Sequence, residues 1–165
     1  MFDSLKSQNV LDLGAEWREL LGYAADLHDV GEFISYERHN IHSYTIIINA
    51  PLAGFDSIEL QEMALMARFH HNSVPSPKSK LFAGLEPAAA QAVRQCALLL
   101  RMADILDRGR NGAVTGLSFS VSSGTALLRI ASATDISMPM WKLKTVREDF
   151  GLIFGLRLRE VHELS

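Results

Sequence analysis

Histidine and carboxylate side chains carry most of the chemistry this sequence can offer, and they are unevenly spread. His28 and Asp29 are adjacent, His42 lies further along, His70 and His71 form a second pair, and Asp104 stands well apart from the rest. Imidazoles and carboxyls together suit first-row divalent metals such as Mn, Fe, Ni or Zn. Helices from separate parts of a chain can converge such ligands in the core of a bundle. A phosphate ester bound there would meet a Lewis acid and an activated water. The candidate ligands are His28, Asp29, His42, His70 and Asp104.

Each has a plainer reading beside the metal one. His28 and Asp29 can be a helix-end histidine bonded to a neighbour and a capping acid, because a satisfied polar network specifies packing without any metal. The same alternative stands for His42 and His70. Asp104 has Arg101 at i−3 and Arg108 at i+4, so it can be ion-paired on its own helix. His39 and His71 are expected on the solvent side or in supporting positions, as are Glu32 and Asp107. Arg68, Lys78, Lys80, Arg101 and Arg108, with Arg94 and Arg110, can form a basic strip across two helices and a loop; scattered surface cations are the alternative. A phosphate polymer bound on such a strip would be held multivalently and released by salt. No aromatic residues interleave with the cations, so base stacking and nucleic-acid binding are not expected.

These residues sit in a chain of 165 amino acids, 48% hydrophobic and 21% charged, with mean hydropathy +0.09. Such a chain can bury a core without disulfides or structural metal. A formal charge of −3 gives no support to a partner held by net charge. The single Cys96 excludes an intramolecular disulfide and suits a reducing compartment; its apolar surroundings mark it as core. Apolar runs fall far short of the ~20 residues of a membrane span, and Met1-Phe2-Asp3 does not open a secretory signal. The expectation is a cytoplasmic protein with no membrane partner.

Hydrophobic periodicity divides the chain in two. Leu20, Leu21, Ala24, Leu27 and Val30 recur at helical spacing and predict a helix over 15–30. Residues 38–49 include the β-branched run Thr45-Ile46-Ile47-Ile48, but Pro51 and Gly54 follow closely and helical spacing gives His39 and His42 a common face, so helix is predicted. Asp56 and Glu59 read as a capping box opening a helix to about 71. Residues 72–86, with Pro75, Pro77 and Gly84, form the longest loop. Pro87 opens a central helix to about 108. Beyond it, Leu117, Phe119 and Val121, then Ala126, Leu128 and Ile130, alternate around a Ser-Ser-Gly-Thr turn and predict a β-hairpin. A helix over 141–154, a Gly155 cap and a strand over 156–161 complete a β-β-α-β tail. The fold class is mainly α, a helical domain over 1–110, with a small lobe over 111–165, α+β overall. So small a sheet needs a packing partner.

The His-Asp pair with a distant Asp on helices resembles the signature of the HD superfamily of metal-dependent phosphohydrolases. The surrounding string Ala24-Ala25-Asp26-Leu27-His28-Asp29-Val30-Gly31-Glu32-Phe33-Ile34-Ser35-Tyr36 resembles the Ppx/GppA phosphatases, the exopolyphosphatase and guanosine-pentaphosphatase family. So do His39-Asn40-Ile41-His42-Ser43-Tyr44, Ala67-Arg68-Phe69-His70 and the run from Leu100 to Arg108. The resemblance covers most of residues 20–110 and points to the family's C-terminal HD-like half; the β-β-α-β tail is similar to that half's terminal lobe. It implies hydrolase chemistry, inorganic polyphosphate as partner and pairing into a homodimer.

Family members carry Mg²⁺-dependent hydrolysis in an actin-like domain with a Gly-rich phosphate loop, for which these residues supply no counterpart. The leading expectation is therefore a non-catalytic polyphosphate-binding and dimerisation domain with no catalytic residues of its own. An HD site also takes a histidine from a helix before the His-Asp pair, and residues 1–27 contain none. The alternative is an autonomous HD-type phosphohydrolase acting on a nucleotide or other phosphate ester. In that reading Asp29 would bridge or orient the metal water and the histidines would be ligands. A purely dimerising module is the third reading.

Overall fold

In a computed structural model, residues 1–71 and 74–164 are described, and they form a mainly helical α+β protein. The chain packs as two compact units, Leu13–Arg101 and Met1–Asp12 together with Met102–Ser165.

The first unit holds the histidines. Helix α2 (Ala15–Leu27) buries Leu20 and Ala24 and stops at His28. A 3₁₀ turn over Val30–Phe33 leads to α3 (His39–Asn49), entered through Arg38 in the left-handed region at φ 58°. The β-branched run is helical, as predicted. Helix α4 (Ser57–Phe69) begins with the expected capping box: the Asp56 carboxylate accepts from the N–H groups of Ile58 and Glu59, and Glu59 accepts from the N–H of Asp56. Its residues 62–67 are all buried, and α2 and α3 both pack on it.

Of the expected loop, residues 72 and 73 lie outside the described residues. The rest carries a 3₁₀ turn at Lys80–Phe82, pinned by buried Phe82. Arg94, expected on a surface strip, is buried instead. Its guanidinium donates to the carbonyl of Pro75 and to Gln91, tying the loop to helix α5 (Pro87–Asp107).

The other unit is built on a sheet of order β1-β2-β3. Strands β1 (Val114–Ser122) and β2 (Thr125–Ser132) form the predicted hairpin. Its two-residue turn, Ser123-Gly124, has φ of 48° and 73°, the pair of positive values a type I′ turn requires. Strand β3 (Arg157–Leu164) runs parallel to β2. The crossover between them is not one helix. α6 (Ser137–Leu143) and α7 (Arg147–Phe154) are separated by a 3₁₀ turn at Lys144–Val146, where the Thr145 hydroxyl bonds the Lys142 carbonyl and competes with regular helix.

Periodicity alone missed α1 (Phe2–Ser7), which is too short to show a repeat. It buries Phe2 and Leu5 against this unit, and its Ser4 and Gln8 side chains accept from the N–H groups of Phe119 and Val121 on the edge of β1. An edge strand that would otherwise offer free donors is thereby covered.

Candidate metal centre

Three helix ends in the first unit bring the histidines together. His28 caps the C-terminus of α2, His39 is the first residue of α3, and His70 caps the C-terminus of α4. Asp29, just past α2, lies among them. Its Oδ2 is 3.2 Å from His28 Nε2, and its Oδ1 is 3.4 Å from His39 Nε2 and 3.5 Å from His70 Nε2. The Nε2 atoms of His39 and His70 are 3.1 Å apart. His28, Asp29 and His70 offer ligand atoms that all lie within 4.8 Å of one another. The cluster is shielded without being sealed: the His70 side chain is 1% exposed, that of His39 7%, and those of Asp29 and His28 about a fifth.

The opposite nitrogen of each ring fixes its tautomer. Nδ1 of His28 contacts the carbonyl of Ala25, that of His39 the carbonyl of Tyr36 at 3.0 Å, and that of His70 the carbonyl of Ala67. A carbonyl can only accept, so Nδ1 carries the hydrogen in all three rings. In its neutral form each ring then presents a lone pair at Nε2. With the rings neutral, three lone pairs and a carboxylate face one another. This is the arrangement of metal-ligating histidines, whose second nitrogen donates to a carbonyl. Adjacent donors 2.0–2.1 Å from a common cation stand about 2.8–3.0 Å apart in octahedral and about 3.3–3.4 Å apart in tetrahedral geometry, and the four contacts above, at 3.1–3.5 Å, are close to that range. Helices α2 and α4 both point their C-termini, the negative ends of their dipoles, toward the cluster.

His28, Asp29 and His70, singled out by sequence, are thus brought together. His39, expected on the solvent side or in a supporting role, is only 5% exposed and belongs to the cluster. His42 is half-buried on α3; the group whose ligand atoms all lie within 4.8 Å of one another includes neither His42 nor His39, and His39 joins the cluster through its contacts with Asp29 and His70. Asp104 belongs to the other unit, where its carboxylate binds Arg108 at 2.6 Å, the i,i+4 pair read from sequence. His71 is exposed.

Of the basic residues, Arg68 lies over the Tyr44 ring at 5.2 Å, Lys78 and Lys80 are exposed, and Arg101 is half-buried. Arg108, engaged by Asp104, lies in the other unit.

Sequence reasoning also passed over the polar residues behind the cluster. The Ser43 hydroxyl donates to the His28 carbonyl at 2.6 Å and accepts from the Gly31 N–H at 2.9 Å. The Asn40 amide donates to the Arg68 carbonyl at 2.7 Å. His39, Asn40, Ser43 and Ile47 share one buried face of α3. That i, i+1, i+4, i+8 spacing was the available signal.

The fold and the cluster together define a mainly helical α+β domain with an imidazole–carboxylate centre at converging helix ends. The model of the Ppx/GppA phosphatase family for its domain III matches residues 1–145, and the chain belongs to that family. Among the described residues, no helix is long and apolar enough to cross a membrane.

Proposed function

We propose that the domain holds a divalent transition metal through His28, Asp29, His39 and His70 and uses it in phosphate-ester or phosphoanhydride hydrolysis. One observation carries this reading: three histidines, each locked with its hydrogen on Nδ1, aim Nε2 at a single carboxylate. The HD-type alternative raised by the sequence is favoured over an inert module for a specific reason. The donor expected from a helix before the His-Asp pair has a substitute after it, in His39.

A cation in this site would act as Lewis acid on a phosphoryl oxygen and lower the pKa of a bound water. The residues of the chain do the rest. The three carbonyl bonds hold the imidazole planes, Asp29 supplies the negative charge, and burial of His39 and His70 limits competing water. Arg68, Lys78 and Lys80, in the same unit, are the cations available to an anionic substrate, inorganic polyphosphate included.

The test is metal analysis of protein stripped by chelator and reconstituted separately with Mn, Fe, Ni and Zn. One equivalent per chain is expected, with affinity at least tenfold weaker in Asp29→Ala and His39→Ala. Hydrolysis of p-nitrophenyl phosphate or polyphosphate should appear on reconstitution and vanish in Asp29→Ala. Absence of stoichiometric uptake by all four metals would end this reading.

A further inference from the structure

Resting on that metal-binding reading, we propose that Ser43 is a positioning residue of the centre, which sets Asp29 against His39 from inside α3. The Ser43 side chain is fully buried and its oxygen is used twice. It donates to the carbonyl of His28, immediately before Asp29, and accepts from the N–H of Gly31, two residues after it. Both ends of the Asp29–Val30 segment are therefore fastened to one atom.

That atom sits one helical turn beyond His39 on the same face of α3, so its distance from His39 is set by the helix itself. Fixing the turn to Ser43 fixes the Asp29 carboxylate relative to His39 Nε2, the 3.4 Å contact. Asn40 does the corresponding work at the other side of the cluster. Its bond to the Arg68 carbonyl anchors the end of α4 two residues before His70. Helix α3 thus carries one ligand and the fasteners for both neighbouring helix ends.

Gly31 is what allows the turn to come so close. A Cβ built there would lie 2.2 Å from the His39 carbonyl oxygen and 2.4 Å from the Ser43 nitrogen, both backbone atoms that cannot swing aside. The glycine is required by contact, with an ordinary φ, and the contact places its N–H against the Ser43 hydroxyl.

The experiment compares Ser43→Thr with Ser43→Val, which have nearly equal volume and differ in the hydroxyl, with Ser43→Ala as the smaller control. Zn²⁺ affinity, the melting temperature of the metal-free chain, and its ¹⁵N imidazole spectrum are measured for each. Ser43→Thr should bind within about threefold of the parent, and Ser43→Val and Ser43→Ala about 10–100-fold more weakly. In the latter two the resonances of His28 and of His39, whose Nε2 atoms face Asp29, should move.

Equal affinity in the Thr and Val variants with unmoved His28 signals would overturn the assignment. So would an affinity loss that follows the melting temperature while the His28 signals keep their parental positions. Should Thr and Val both prevent folding, the Ala variant decides by the same two readouts. If the parent takes up no Zn²⁺, the metal reading fails by itself. The positioning of Asp29 is then judged on the His28 and His39 imidazole resonances, where displacement in Ser43→Ala supports it and invariance refutes it.

Discussion

Glu62 is a carboxyl in the wrong surroundings, and replacing it with glutamine should make the protein less sensitive to pH. The residue lies on the buried stretch of α4 and is 6% exposed. Burial, reinforced by the charges of Asp56 and Glu59, pushes its pKa up from 4.5 to about 7. Below pH 4.5 the carboxyl is protonated in both the folded and unfolded chain, and its contribution to stability is fully present. Between 4.5 and 7 the unfolded chain releases the proton while the folded one keeps it, so stability falls as pH rises. Above 7 both forms are ionised and the loss levels off. At about 1.4 kcal/mol for each pH unit of displacement, the ceiling is about 3–4 kcal/mol. Solvent at the rim of the carboxyl brings the expected loss to about 1–2 kcal/mol. Glutamine has nearly the same shape and does not titrate. Urea unfolding of both proteins at pH 5 and pH 8 is the assay. The stability of Glu62→Gln relative to the parent should rise by about 1–2 kcal/mol between the two pH values. A difference that stays constant would show that Glu62 ionises freely in the folded state and would refute the argument.

Four further outcomes follow from the same geometry. Gly31→Ala should cost about 3 kcal/mol or more in thermal or urea unfolding, because the added methyl meets immovable backbone of α3. Arg147→Met should cost about 2–3 kcal/mol by the same assays. It strands the Glu160 side chain, 2% exposed, without the guanidinium that contacts both its oxygens. Asp56→Ala removes a capping box and should cost about 1 kcal/mol. Zn²⁺ at a hundredfold excess over its Kd should stabilise the chain by about 2.7 kcal/mol, raising Tm by about 5–10 °C. Mg²⁺ should not, because three nitrogen donors suit it poorly, and equal shifts in calorimetry would count against histidine ligation.

The parts of this protein that were legible in its sequence are those governed by local rules. The capping box at Asp56, the Pro87 helix start, the Ser123-Gly124 turn and the Gly155 cap each depend on a few neighbouring residues, and each stands where it was read. Helix α1 escaped notice because six residues make too short a repeat. The split between α6 and α7 depends on a hydroxyl competing for one carbonyl. The site was half legible for a related reason. His28, Asp29 and His70 are conspicuous as residue types, whereas the choice between His39 and His42 is a question of phase. With Ile47 and Ser43 buried, the helical repeat leads back to His39, and His42 falls off that face. Assigning the helix was enough to find the element but not to find its inward side.

The buried polar row on α3 also explains how such a cluster can be held at all. With the rings neutral, four acceptors gathered at 3.1–3.5 Å would repel one another, and left to side-chain rotation they would turn outward. Rotation is blocked at each ring by a carbonyl three residues earlier, and for His28 and His70 that carbonyl belongs to the last turn of a helix, where no intrahelical donor reaches it. The same hydrogen bond therefore completes a helix end and aims a lone pair. Displacing Asp29 would relieve the repulsion, but the Ser43 oxygen fastens both ends of its segment. The fold thus gathers three imidazole nitrogens and a carboxylate at one point, and the proposed metal site rests on that geometry rather than on the presence of histidines alone.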